Sequence, residues 1–278
     1  MKTYSVEDYK NVIKLRKQGL GKIRIGRITK IPSSTVQKWI NGYKPRCLCN
    51  LQEVYLKNLK VAHLKLKELK NEKLTELSNK ITPEFAYVLG TVLGDGYIYL
   101  SPHKGGHIRI SVKDKDFAQN FYYSLKNWSE LNCRIYQYRK FWRVYSSSVI
   151  IAKVLKNFDL DKLNKSPQEI ITSFLRGLFD SEGTVNIQNR NIRFYNSNMK
   201  LIKLIKSLLK ILDIESSRIY KRNEEVHIIQ GRKCKVKAVY CISIGKRKSL
   251  EYFSSKVNFS IKRKQERLEG LMNSYKPL

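Results

Sequence analysis

Asp95 and Glu182 each close an apolar run and precede a glycine. The first run is Tyr87-Val88-Leu89-Gly90-Thr91-Val92-Leu93-Gly94, before Asp95-Gly96; the second is Phe174-Leu175-Arg176-Gly177-Leu178-Phe179-Asp180-Ser181, before Glu182-Gly183. Gly90 and Gly94, like Gly177 and Ser181, are four residues apart, which places each pair on one face of a helix. Small residues there let two helix backbones approach closely, so that their C-terminal ends coincide. The two acids would then project side by side. The macrodipole opposes a carboxylate at a helix C-terminus, and two carboxylates together repel. A cation between them relieves both penalties, so the chemistry this pair offers is the binding of a hard divalent metal.

The elements that must hold these acids occur twice. Ile108-Arg109-Ile110 returns as Ile192-Arg193-Phe194 and Arg134-Ile135-Tyr136 as Arg218-Ile219-Tyr220, both at an offset of 84. Two segments sharing one offset indicate internal duplication. Each copy reads as an apolar helix, two strands, a lysine-flanked helix, two more strands and a final helix. Thr82-Pro83-Glu84 opens the first copy; Ser166-Pro167-Gln168-Glu169 opens the second as a capping box with Pro at the first helical position. Alternation puts Ile108, Ile110 and Val112 on one strand face and Arg109, Ser111 and Lys113 on the other. In the second copy Arg193, Tyr195 and Ser197 take the polar face. Helices on the apolar faces leave two open faces rich in Arg and Tyr, which together form a saddle.

Composition narrows the partners. Lys plus Arg total 55 against 23 Asp plus Glu, a net charge of +32. Such a chain calls for a polyanion, nucleic acid first and an anionic membrane surface second. No run of ~18 apolar residues suggests a membrane span, and Met1–Lys10 lacks a signal peptide's apolar stretch. Five scattered cysteines fit a reducing intracellular setting, cytoplasm or nucleoid, with an organelle as the other setting. No zinc site is expected: Cys47 and Cys49 lack a matching pair among Cys133, Cys234 and Cys241, and His103 and His107 flank a Lys104-Gly105-Gly106 turn.

Residues 1–46 read as three short helices: Glu7 to Lys17, Ile23 to Lys30, and a third capped by Ser33-Ser34 and ended by Gly42. The arrangement resembles a helix-turn-helix DNA reader whose third helix presents Ser34, Thr35, Gln37 and Lys38 to the major groove; a generic three-helix bundle is the alternative. Lys44-Pro45-Arg46 reads as a hinge. Residues 47–79 form an amphipathic connector with Leu48, Leu51, Tyr55, Leu59, Ala62, Leu66 and Leu69 on one face. This face is expected to lie on the next domain, with a short coiled coil as the other reading.

Val88–Gly96 and Leu175–Gly183 resemble the two motifs of the LAGLIDADG homing endonucleases, and the likeness covers roughly residues 80–270. It implies an α+β fold: a pseudosymmetric, duplicated αββαββα core forming a DNA-binding saddle, with repeats at 80–165 and 166–278, preceded by a small all-α, helix-turn-helix-like domain. It also implies a site-specific double-strand DNA endonuclease, monomeric because both motifs are in one chain, with Mg²⁺ or Mn²⁺ as cofactor. On this resemblance Asp95 and Glu182 bind metal and the carbonyls of Gly94 and Ser181 add ligands. The family's flanking polar residues fall at Val112-Lys113 and Asn196-Ser197, which makes Lys113 and Asn196 candidate catalytic assistants. Lys246 and Lys248 either substitute for the lysine missing from the second copy or contact the DNA backbone. Arg109, Ser111, Arg134, Tyr136, Arg193, Tyr195, Arg218 and Tyr220 would contact DNA, as would Thr35, Gln37 and Lys38 of the N-terminal module. Phosphodiester hydrolysis would use metal-activated water, each acid serving one strand. Two other functions share the scaffold: an intron-splicing maturase, with RNA as partner, and a non-cleaving DNA-binding regulator. An intein is not expected, because the chain opens with Met1 and closes with Pro277-Leu278.

Overall fold

The structure, a computed structural model, describes residues 4–45, 51–101, 103, 105–222, 225–229, 232–236 and 238–275. Arg46, Cys47, Leu48, Cys49, Lys104, Pro277 and Leu278 lie outside the described residues, as do the side chains of Leu51, Tyr55 and Cys234. The chain divides into two units, one reaching Leu69 and one beginning at Lys70.

The first unit contains α1 (Val6–Lys17), α2 (Lys22–Thr29), α3 (Ser33–Ile40) and the first part of α4 (Leu51–Asn79). Ser5 and Asp8 cap α1 reciprocally. The Asp8 N–H donates to Ser5 Oγ at 3.1 Å, and the Ser5 N–H donates to the Asp8 carboxylate at 2.8 Å, so two free helix donors are satisfied. Val12, Ile25, Ile31, Val36 and Trp39 form a small core. Tyr4 and Tyr9 meet the Trp39 ring edge-on at 5.5 and 5.6 Å. The expected Ser33-Ser34 cap is absent. Both serines are inside α3, and Pro32 precedes it, its carbonyl accepting the N–H groups of Thr35 and Val36. Proline's fixed φ preorganises this entry without a side-chain cap. Further on, Ala62, Leu66 and Leu69 are exposed, so the apolar stripe of α4 is open over these turns. Leu74 and Leu77 are the α4 residues that pack in the second unit's core. The step from Leu69 to Leu74 rotates about 140° around the helix, so the buried face is not a continuation of the exposed one.

The second unit carries the duplication. Its first copy runs α5 (Pro83–Asp95), β1 (Gly96–Ser101), β2 (Gly105–Val112), α6 (Lys115–Ser129), β3 (Arg134–Tyr138), β4 (Phe141–Ser146) and α7 (Val149–Asn157). Its second runs α8 (Gln168–Glu182), β5 (Gly183–Asn186), β6 (Asn191–Asn196), α9 (Met199–Ile211), β7 (Tyr220–Arg222), β8 (Glu225–Ile229), β9 (Arg232–Val236), β10 (Val239–Ile244) and α10 (Arg247–Tyr252). The four-stranded antiparallel sheets have matching orders, β1-β2-β4-β3 and β5-β6-β10-β7. Two features depart from the symmetry. The β8–β9 hairpin is inserted before β10, and α11 (Lys262–Asn273) follows the second copy.

The two copies meet at α5 and α8. Every residue of α5 from Phe85 to Val92 is buried, which marks a helix enclosed on all sides. A Cβ on Gly90 would lie 2.2 Å from the Phe174 carbonyl oxygen, and one on Gly177 would lie 2.3 Å from the Tyr87 carbonyl oxygen. The backbones therefore touch in both directions, as the spacing of small residues predicts. Thr82 Oγ1 caps α5 by accepting the Phe85 N–H at 3.3 Å. The capping box expected for α8 does not form. The Ser166 hydroxyl donates instead to the Lys162 carbonyl at 3.1 Å, and the Pro167 carbonyl receives the N–H groups of Ile170 and Ile171. Gly177→Leu should lower stability by about 1–3 kcal/mol or more, because overpacking here meets backbone atoms. Gly21→Ala, where nothing lies within 4 Å of the added carbon, is the control in chemical denaturation. Equal loss in both variants would contradict the close contact.

Candidate metal and nucleic-acid site

Asp95 and Glu182 are the last residues of α5 and α8. The helix contact continues to this end: a Cβ on Gly94 would lie 2.4 Å from Ser181 Cβ and 3.3 Å from Glu182 Cγ. The structure thus brings together the four residues that the sequence selects. Asp95 reaches solvent and Glu182 is half-buried. Burial raises both carboxyl pKa values; the Asp95 charge raises Glu182 further, and Lys264 opposes the shift in both. Neither carboxylate accepts a hydrogen bond among the described residues. No set of three or more His, Cys, Asp or Glu that could hold a metal occurs among the described residues. Two unpaired carboxylates without a third acid or imidazole suit a cation that keeps several waters, as Mg²⁺ does.

Lys264 is a residue that the sequence reading missed. It is 8% exposed. Its ammonium donates to the carbonyls of Phe179 (3.0 Å), Asp180 and Ser181 (3.3 Å). The Phe179 carbonyl also accepts the Gly183 N–H, while those of Asp180 and Ser181 belong to the unpaired last turn of α8, so Lys264 caps the helix with a charge of the sign the dipole favours. Burial lowers its pKa to about 8, with Asp180, Asp95 and Asp114 opposing the shift and Arg263 adding to it. The periodicity carries a signal for it: Lys264 precedes Leu268 by four and Leu271 by seven, on the buried face of α11. The basic run Lys262-Arg263-Lys264 masks that signal.

The segment leading into α11 straps the two copies together. Buried Asp180 accepts hydrogen bonds from Tyr87 Oη at 2.9 Å, from the Ser260 N–H at 3.0 Å and from the Ser260 hydroxyl. Asn120 of α6 donates to the Ser260 carbonyl, and the Lys262 N–H donates to Asp116 at 2.7 Å. Burial raises the Asp180 pKa, against those hydrogen bonds and Lys264.

The other selected residues divide. Arg109 on β2 stands between Tyr97 on β1 and Tyr145 on β4, and Arg134 on β3 faces Tyr145. Ser111 stands opposite Arg143, whose Nε donates to its hydroxyl at 3.2 Å, and Tyr136 follows on the far side of Arg143. These residues share one sheet face, as expected. Arg193 pairs with Thr184 and Ser243, while Tyr195 and Tyr220 flank Cys241 on the corresponding face of the second sheet. Arg218 lies before β7, with its guanidinium 5.1 Å from the Tyr220 ring centre. Lys113 is exposed just after β2. Asn196 shares the parity of buried Ile192 and Phe194, and its carboxamide oxygen accepts the Asn198 N–H at 2.9 Å, closing the turn into α9. Lys246 and Lys248 do not stand in for a lysine beside Glu182. Both line a cavity of about 620 Å³ with Lys206, Lys210 and Glu215, and Lys246 is ion-paired to Glu215. The cations that share a cavity with Glu182 are Arg263, Lys264 and Arg267 of α11. In the first unit Ser34 and Lys38 are exposed and Thr35 and Gln37 half-buried on α3, where Gln37 donates to Asn41 at 2.8 Å.

Comparisons with known proteins agree with this architecture. The LAGLIDADG-like domain family matches residues 169–258, and the WhiA LAGLIDADG-like domain family matches residues 85–162. An uncharacterised protein of Methanocaldococcus jannaschii is 37% identical over 201 residues, covering 69% of this chain and 73% of that protein. In the same organism the ATP-dependent DNA helicase Hel308 is 25% identical over 204 residues, which are 68% of this chain but 16% of the helicase. The RNA polymerase subunit Rpo1C is 29% identical over 140 residues, 48% of this chain and 14% of the subunit. The homing endonuclease I-DmoI in complex with DNA and Ca shows a TM-score of 0.49 at 16% identity, over 69% of this chain and 100% of that one. A duplicated αββαββα core whose touching helices end in paired acids defines a class, and the chain belongs to it: it is a member of the LAGLIDADG family. Among the described residues, no helix is long and apolar enough to cross a membrane.

The buried lysine sets a pH dependence. Between about pH 8 and pH 10.5 the unfolded chain holds the Lys264 proton and the folded chain releases it, so this group's contribution to stability rises with pH. Below pH 8 its burial penalty is fully present. In metal-free buffer, the stability of wild type relative to Lys264→Met should therefore increase from pH 7 to pH 10.5 by on the order of 3 kcal/mol. Parallel denaturation midpoints across that range would contradict the shift.

Proposed function

We propose that the chain is a site-specific double-strand DNA endonuclease, acting as a monomer, in which Asp95 and Glu182 hold divalent metal, Mg²⁺ or Mn²⁺. The observation that supports it most is the pair of unbonded acids at the ends of touching helices, flanked by two open sheet faces bearing Arg109, Arg134, Arg143 and Arg193. Bound metal would polarise a phosphate oxygen and lower the pKa of an attacking water. Asp95 and Glu182 fix where that cation sits, through the contact at Gly94 and Ser181. Lys264 keeps the last turn of α8 capped and offsets repulsion between the acids. The sheet-face arginines bind phosphates, and Lys113 supplies positive charge on the first copy's side. In this reading residues 80–165 and 166–278 serve one half-site each. Residues 1–46 add groove contacts through α3, and residues 47–79 join that module to the nuclease.

The relatives support a self-contained module. The match to the helicase spans 204 residues and that to the RNA polymerase subunit 140, each less than a fifth of the larger protein. Those proteins' named activities therefore do not transfer. A second reading, a DNA-binding protein that does not cut, is favoured by the WhiA-type match over residues 85–162. Retention of both Asp95 and Glu182 favours cleavage over it.

Selection of cut molecules from a randomised duplex library in Mg²⁺ should return a defined target. On a plasmid carrying it, wild type should give linear product. Asp95→Asn and Glu182→Gln should give nicked circles or no product while binding persists, because an amide fills the same volume without holding the metal. Wild type that binds DNA but cuts nothing would favour the second reading; full cutting by both variants would remove the assignment of these acids.

A further inference from the structure

The two half-sites of this nuclease reading are not chemically equivalent. At the offset of 84, Lys113 of the first copy corresponds to Ser197 of the second, and Asn196 beside it is committed to the turn into α9. The strand end of the second copy therefore carries no cation. A cavity of about 350 Å³ beside Glu182 receives cations from elsewhere, Arg263, Lys264 and Arg267 of the helix that has no counterpart in the first copy. Two of the three are already engaged. Arg263 makes a forked pair with Asp114 at 3.0 and 3.3 Å. Lys264 is spent on the carbonyls of α8. Arg267 is exposed and has no hydrogen bond or ion pair among the described residues. The same cavity is lined by Thr184 and Tyr195, which lie on the open face of the second sheet, so it opens toward the surface that the nuclease reading gives to DNA.

We propose that Arg267 is the phosphate-binding residue of the second half-site. Its guanidinium would grip the non-bridging oxygens of the phosphate presented to Glu182, the task that Lys113 performs beside the first copy. A guanidinium offers a planar fork of donors matched to phosphate and cannot lose its charge. It exchanges no proton in this role. α11 thus supplies by an added helix what the second copy lacks on its own strand. This assignment rests on the endonuclease reading, and the test separates the two.

Binding is measured first without metal, in EDTA, on a duplex selected for binding and not for cleavage, as log K against log salt concentration. Arg267→Met should flatten the slope by about 0.9, the value for one phosphate contact, while Arg267→Lys keeps it. Both variants should melt like wild type, because the side chain is exposed. Cleavage of each strand is then followed on end-labelled duplex in Mg²⁺. Arg267→Met should slow one strand by roughly 10²-fold, the same strand that Glu182→Gln leaves uncut, with the other strand within twofold of wild type. Lys113→Met should show the opposite strand preference. An unchanged salt slope, equal slowing of both strands, or slowing of the strand assigned to Asp95 would each overturn the role of Arg267. If wild type cuts neither strand, the endonuclease reading fails, and the salt slope still decides whether Arg267 contacts phosphate.

Discussion

The contact between the backbones of α5 and α8 governs the rest of the structure. Gly90 and Gly177 leave no room for a Cβ, so the helices meet at carbonyl oxygens instead of side chains. That approach brings their C-terminal ends together and fixes the two acids. It also fixes where the sheets begin, since β1 starts at Gly96 and β5 at Gly183, immediately after the acids. A looser helix pair would separate the carboxylates and move both sheets with them. The charge problem this creates is answered locally. Lys264 caps α8 and draws on the negative charge of Asp95 and Asp180, and what remains is two carboxyls with raised pKa values and unbonded oxygens.

The C-terminal segment makes the duplicated core asymmetric. Ser260 ties together Tyr87 of α5 and Asp180 of α8, and Asp114 and Asp116 at the start of α6 hold Arg263 and Lys262. A buried carboxylate with its hydrogen bonds satisfied acts as a specific clasp. In the first copy the position matching Asp180 is Leu93, so only one half can be clasped this way. The helix delivered by this strap then places Arg263, Lys264 and Arg267 in the cavity beside Glu182, while Arg263 also pairs with Asp114 of the first copy. Structural closure and chemical asymmetry therefore have one source, a segment added after the second copy.

Much of this was legible in the sequence. The 84-residue offset, the small residues four apart and the alternation of β2 and β6 are local patterns with direct structural meanings, and the sheets formed from them with matching topology. What the sequence could not yield depended on contacts distant in the chain. Ser166 has the residue type of a cap, but the preceding turn at Lys162 took its hydroxyl. Asn196 sits where a polar residue was wanted, but its parity and the Asn198 N–H turned it to a structural task. Lys246 and Lys248 follow a strand of the second copy, yet Glu215 and the α9–α10 side claimed Lys246. Lys264 was hidden in a basic run although its spacing to Leu268 and Leu271 marked it as buried.

The central claim is that the helix contact sets Asp95 and Glu182 side by side as the metal-holding acids, each serving one strand. Mn²⁺ binding to the protein on duplex DNA, followed by electron paramagnetic resonance, tests it most directly. The account predicts saturable binding in wild type that is reduced in Asp95→Asn and in Glu182→Gln, and reduced in Gly177→Leu without any change to an acid. Mn²⁺ binding that is unchanged in either single-acid variant would contradict it.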